Sequence, residues 1–136
     1  MKFDNMQAYT MDADLEAGAG VTVQYPNGMA FTIRRAGGTN TAFQKRVQAV
    51  AKTYRHGFDG MDEDKARGLL AEIYADTVIV GWSGVKSEGK EVPFTREAAV
   101  ALLSGYPEFM MSLKRDAEDP GLFQAEEEAR EELEKN

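Results

Sequence analysis

The residues able to do chemistry are few. The 136-residue sequence holds one histidine, His56, and no cysteine. A Ser-His-Asp triad needs an imidazole beside a nucleophile, and a zinc site needs several imidazole or thiolate ligands. His56 closes a helical pattern just before Gly57, where the negative end of a helix dipole favours a histidine. Gly81-Trp82-Ser83-Gly84 approaches a nucleophile elbow, but that elbow is G-x-S-x-G and the fifth residue is Val85. Ser83 therefore reads as a turn residue. Asp12-Ala13-Asp14-Leu15-Glu16 opens like a calcium loop, yet its glycine arrives one position late, at Gly18. Val23 stands where the loop needs a bidentate acid. Gly18, Gly20 and Gly37-Gly38 fit neither G-x-x-x-x-G-K-S/T nor G-x-G-x-x-G. The expectation is a protein without catalytic residues, bound metal or cofactor.

Charge offers more. The net charge is −7, and it is carried by the two ends. Residues 1–16 set Lys2 against Asp4, Asp12, Asp14 and Glu16. Residues 120–136 set Arg130 and Lys135 against Glu126, Glu127, Glu128, Glu131, Glu132 and Glu134. The stretch between is neutral overall, but Arg34, Arg35, Lys45, Arg46, Lys52 and Arg55 occur with no acid before Asp59. That stretch can be a phosphate-binding face, a solvated helix face, or a dock for acidic groups. A sequence pI of 4.8 opposes a polyanion, so no nucleic-acid partner is expected. The acidic segment from Glu126 to Glu134 is the natural counterpart of Arg34, Arg35, Lys45, Arg46 and Lys52, within one chain or between two, in a contact that salt would weaken. Trp82, the sole tryptophan, reads as a core anchor or as an interface hot spot. The seven methionines suit core filling, with some able to adapt to a variable target.

The elements that would position these residues can be read from periodicity. Residues 1–19 lack it and read as a flexible arm. Val21, Val23 and Tyr25, then Met29, Phe31 and Ile33, alternate about Pro26-Asn27-Gly28, which predicts a hairpin over 21–34. Two strands alone are marginal, so a third strand or a packed face is required. Thr39 or Asn40 can cap a helix over 41–55 with Phe43, Val47, Val50 and Tyr54 on one face. Asp62, Glu63 and Asp64 suit the start of a second helix. Its apolar set predicts an end near Gly81, or earlier because Thr77-Val78-Ile79-Val80 is β-branched. Val85 and residues 91–94 have short-strand character. Thr95 opens a third helix, Tyr106-Pro107 interrupts it, and Pro107 opens a fourth. Residues 120–136 read as an acidic helical arm with few apolar residues. The expected fold is α+β: mostly helical, with four to five helices, an N-terminal β-hairpin and one further short strand. One domain would span 20–119. No apolar run reaches the ~20 residues of a membrane span, and Met1 to Asp14 lack the apolar stretch of a signal peptide. No membrane partner and a cytoplasmic location are expected.

Phe31-Thr32-Ile33-Arg34-Arg35-Ala36-Gly37-Gly38-Thr39-Asn40 with Ala42-Phe43, then Gly81-Trp82-Ser83-Gly84-Val85 and Val92-Pro93-Phe94-Thr95, then Pro107-Glu108-Phe109 and Phe123, form an ordered series. It resembles the tail assembly chaperones of long-tailed bacteriophages over residues 21–123. The resemblance implies an α+β protein that coats the helical tape measure protein in the cytoplasm of the infected cell, keeps it soluble and helps recruit tail tube subunits. It implies absence from the finished virion, and a longer form made by ribosomal frameshifting that carries the tail-tube-binding extension. Two other readings stand beside it. One is another protein-binding adaptor. The other is a nucleic-acid-associated protein using the Arg34–Arg55 face.

Overall fold

The computed structural model describes residues 1–125. Among them lie five α-helices and five strands in an α+β arrangement. Strands β1 (Val21–Gln24) and β2 (Ala30–Ile33) form the hairpin. Its turn works because Asn27 and Gly28 take φ of 66° and 82°, which asparagine and Cβ-less glycine tolerate and most residues do not. In the antiparallel register Val21 faces Ile33 and Val23 faces Phe31. This turns the apolar members of both strands to the same side.

The third strand that the hairpin required is β3 (Ile79–Ser83), antiparallel to β2. The helix ahead of it ends at Thr77, four residues before Gly81. The β-branched run explains this end, because Val78, Ile79 and Val80 lose less rotamer freedom in a strand than in a helix. A shift of register between Thr32 and Ile33 is the local irregularity of the three-stranded sheet. A two-residue pair, β4 (Lys86–Ser87) with β5 (Lys90–Glu91), forms a small separate hairpin.

The helices begin where capping residues stand. Helix α2 (Thr41–Thr53) is capped by Asn40, whose side chain accepts from Phe43 N. Asp62 caps α3 (Glu63–Thr77), Thr95 caps α4 (Arg96–Gly105), and Pro107 opens α5 (Pro107–Glu118). Each cap satisfies a backbone donor that the first turn leaves open. Helices α3, α4 and α5 cover one face of the sheet. The core is Phe31 and Ile33 of β2 against Tyr74 and Val78 of the α3 end, Leu103 of α4, and Leu113 of α5. The other sheet face bears Thr22, Thr32, Gly81 and Ser83. Thr22 and Thr32 are hydrogen-bonded there at 2.8 Å.

The two chain segments expected as arms are tied to this body. Helix α1 (Ala13–Ala17) is capped by Asp12. Met11 pairs with Gln124 as an isolated antiparallel bridge. Asp12 N donates to Phe123 O at 2.9 Å and Ala125 N donates to Thr10 O at 2.9 Å. Phe123 is wholly buried and Ala125 nearly so. Gln124 Nε2 also donates to Ala8 O at 2.6 Å, so the docked part of residues 1–19 starts at about Ala8, and the body runs past Asp119 to at least Ala125. The cause is that Phe123 fills the core beneath α1 and α5, which the low apolar content of the C-terminal segment concealed. The remainder of the expected acidic arm, residues 126–136, lies outside the described residues.

Candidate functional site

The six cations of the Arg34–Arg55 stretch do not form one face. Arg34 and Arg35 leave the end of β2 and hold α1. Arg34 Nε donates to Gly18 O at 2.7 Å, and Arg35 Nη1 meets Glu16 Oε2 at 2.6 Å. Glu16 is 2% exposed, and its second oxygen accepts from Thr39 Oγ1 at 3.2 Å. This burial is tolerable because the carboxylate is both paired and hydrogen-bonded. Gly38 lies against it with φ of +54°, and any Cβ there would collide with the Glu16 carboxylate. The Gly-Gly turn after Arg35 thus makes room for a buried acid.

Arg46 on α2 is also engaged. Asp76 on α3 accepts from Arg46 Nη1 at 2.7 Å and from Arg96 Nε of α4 at 2.7 Å. One carboxylate therefore braces three helices. The Arg96 hydrogen bond first, and that of Arg46 next, hold its pKa below the ordinary carboxylate range despite the opposing cost of burial. Lys45 and Lys52 stay on the exposed side of α2, and Arg55 is exposed just beyond its end. Of the basic residues singled out by sequence, the structure brings Arg34 and Arg35 together, sends Arg46 to a different cluster, and leaves Lys45 and Lys52 in solvent. Glu126, Glu127, Glu128, Glu131 and Glu132 lie outside the described residues.

Trp82 is half-buried and packs edge-on against Phe94, with Phe31 tilted on it at 5.3 Å between centroids. Its Nε1 donates to Val92 O at 2.8 Å. The Gly-Trp-Ser-Gly-Val and Val-Pro-Phe-Thr segments are thereby locked together, and the indole anchors the β3–α4 connection. His56 is exposed at the end of α2. Tyr74 is the most deeply buried titratable side chain among the described residues, and burial, with Glu118 adding to it, drives its phenol well above the ordinary range. Tyr25 donates its hydroxyl to Asp116 Oδ2 at 2.7 Å and pins the hairpin to α5. Among the described residues no group of three or more His, Asp or Glu is placed to hold a metal, and no helix is long and apolar enough to cross a membrane.

Two clusters of apolar residues among those described face solvent. One is a groove of about 250 Å³ lined by Met29, Val85, Lys86, Leu102, Tyr106 and Phe109. It lies where the hairpin turn, the β3–β4 connection and the α4–α5 corner meet. Tyr106 on its wall is 66% exposed, because the break before Pro107 turns it away from the core. The other feature is the 3₁₀ helix Asp4–Tyr9. Phe3, Met6 and Tyr9 there are 66%, 51% and 70% exposed. Sequence reading singled out neither feature. The groove joins residues from three separate segments, and the three apolar residues near the start stand alone, without the further apolar positions that would mark a strand or an α-helix.

A family model described as YdaY prophage protein matches residues 38–136. No curated protein and no solved structure gives a significant match.

Proposed function

Taking as premise that the chain belongs to the YdaY prophage protein family, we propose that it is a non-catalytic tail assembly chaperone of a long-tailed phage. In this reading it holds the tape measure protein in the host cytoplasm, keeps it soluble, and helps recruit tail tube subunits, the last through a longer frameshifted form. The observation that carries the proposal is the ordered series Arg34 to Phe43, Gly81 to Val85, Val92 to Thr95 and Pro107 to Phe109, within a chain of prophage origin. The structure supplies a compatible surface. A tape measure exposes long apolar helical faces before assembly, and a helix binds its apolar stripe in a groove. The Met29–Phe109 groove is open and largely apolar, with one cation, Lys86, at its rim. Methionine and two aromatic walls accommodate varied side chains. The basic stretch favours no nucleic-acid reading, since Arg34, Arg35 and Arg46 are spent on Gly18, Glu16 and Asp76.

Co-expression with the phage's tape measure protein tests the proposal. The tape measure should stay in the soluble fraction with this protein and pellet without it. Tyr106→Asp, which places a charge on an exposed groove wall, should reduce the soluble fraction at least about tenfold. A tape measure equally soluble with and without the protein would refute the reading.

A further inference from the structure

We propose that the Asn27-Gly28 turn is a site of spontaneous deamidation, and that the isoaspartate formed there distorts the groove beside it. The chemistry stands whatever the protein binds. Only its effect on a client rests on the chaperone reading above.

The reaction needs only water. The Gly28 nitrogen gives up its proton and bonds to Asn27 Cγ, and the side-chain nitrogen leaves as ammonia, carrying that proton. Water then opens the cyclic imide at either carbonyl, which yields aspartate or isoaspartate. A following glycine favours closure, because no Cβ crowds the attacking nitrogen and φ is free. Of Asn5, Asn27 and Asn40, only Asn27 precedes glycine. Asn40 is 3% exposed, and its carboxamide is held by Arg35 O, Thr77 O and Phe43 N. Asn5 lies inside a 3₁₀ helix and precedes Met6. Asn27 and Gly28 are both exposed. Among the described residues no hydrogen bond of good geometry holds the Asn27 carboxamide, the Asn27 carbonyl or the Gly28 N–H.

As folded, the turn holds the reaction back. A ψ of 29° at Asn27 sets Gly28 N on the far side of the Cα–C bond from Cβ. Closure requires the Asn27–Gly28 peptide plane to turn over. That flip breaks no strand bond, since the Tyr25 N–Met29 O bond of 2.8 Å that closes the hairpin lies outside the plane. Nothing stands within 4 Å of the place a Gly28 Cβ would take. Glycine accepts φ of either sign. The product reaches the groove through the backbone. Gly28 O lies against Gly84, where a Cβ would meet it at 2.1 Å. Gly28 is followed by Met29, and Gly84 by Val85 and Lys86, all of which line the groove. Isoaspartate runs the main chain through the former side chain, which adds a carbon to the turn and leaves a free carboxylate. The longer turn cannot keep both the Tyr25–Met29 bond and the close seat of Gly28 on Gly84, so one groove wall is displaced.

Ageing the purified full chain at neutral and mildly alkaline pH, followed by peptide mapping in a mass spectrometer, tests this without any client. Isoaspartyl methyltransferase with labelled S-adenosylmethionine measures the isoaspartate. Asn27 should react ahead of Asn5 and Asn40, and faster at the higher pH, because the attacking nitrogen must lose its proton. The native rate should stay within about a hundredfold of the rate in urea. Were global unfolding required, the lag would exceed roughly a thousandfold. Asn27→Gly keeps the left-handed turn and should release no ammonia from this site. Hydrogen exchange at the Tyr25 N–H should quicken at least about tenfold in aged wild type. It should stay unchanged in aged Asn27→Gly and in fresh Asn27→Asp, which adds the charge without the extra carbon. A native lag beyond about a hundredfold, reaction at Asn5 or Asn40 first, or unchanged Tyr25 exchange after ageing would each overturn the proposal. Aged wild type should also lose the tape measure solubilisation that aged Asn27→Gly keeps. Fresh protein that solubilises no tape measure would sink the chaperone reading and leave the deamidation result standing.

Discussion

Phe123 is the residue whose replacement most directly measures how the C-terminal segment completes the core. Its ring is wholly buried, and its carbonyl accepts from Asp12 N. Replacing a buried phenylalanine with alanine removes the transfer free energy of the ring and leaves a cavity, which together cost about 3–5 kcal/mol. A chain of 136 residues has a total stability of roughly 7–20 kcal/mol, so Phe123→Ala takes a large share. With an unfolding entropy of about 0.3 kcal/mol/K for this length, the melting temperature should fall by about 10–17 °C. Substitution is cleaner than truncation at Asp119. Truncation also removes the ordering cost of residues 120–125, about 1–2 kcal/mol each, and that gain hides the loss. Far-UV circular dichroism and Trp82 fluorescence should follow the same urea transition, since the indole packs on Phe31 of the same core. A fall of less than about 4 °C, or under ~1 kcal/mol, would refute the placement of Phe123 and of residues 119–125 with it.

Glu16→Ala should cost about 2–3 kcal/mol, because it leaves Arg35 largely buried beside an empty site. The urea midpoint checks this, and faster proteolysis around residues 10–18 should accompany it. Asp76→Asn should lower the melting temperature by about 3 °C at neutral pH, a small effect because the pair partners are half-exposed. The Asp76 carboxyl has a folded pKa below its unfolded value. Its contribution is therefore present above the ordinary carboxylate pKa and is lost as pH falls through the lower folded value. The difference between wild type and Asp76→Asn should close across that acidic window, and a constant gap down to about pH 2 would contradict the brace.

The parts of the fold legible from sequence are those set by local chemistry. Asn27-Gly28 fixed the hairpin turn, Asn40 and Thr95 marked helix starts, and Pro107 split α4 from α5, all through contacts within four residues. The parts that were hidden depend on distant partners. Residues 78–80 extend a helical apolar pattern, and only pairing with β2 makes Ile79 and Val80 the start of a strand. Glu16 carries the signature of a solvated acid, and nothing near it in the chain announces that Arg35 and Thr39 will enclose it. The basic stretch looked like one surface because its members are neighbours in sequence. The end of β2 and the helix α2 point them in different directions.

The pairing of Met11 with Gln124 has a consequence for synthesis. The first docked segment finds its hydrogen-bond partners only after more than a hundred further residues have been made, and closing so long a loop is slow. On the ribosome, the nascent chain holds helices and hairpin without their last buried ring until Phe123 clears the exit tunnel. Maturation of the molecule is thus a late event, completed when Ala125 reaches its hydrogen bond to Thr10.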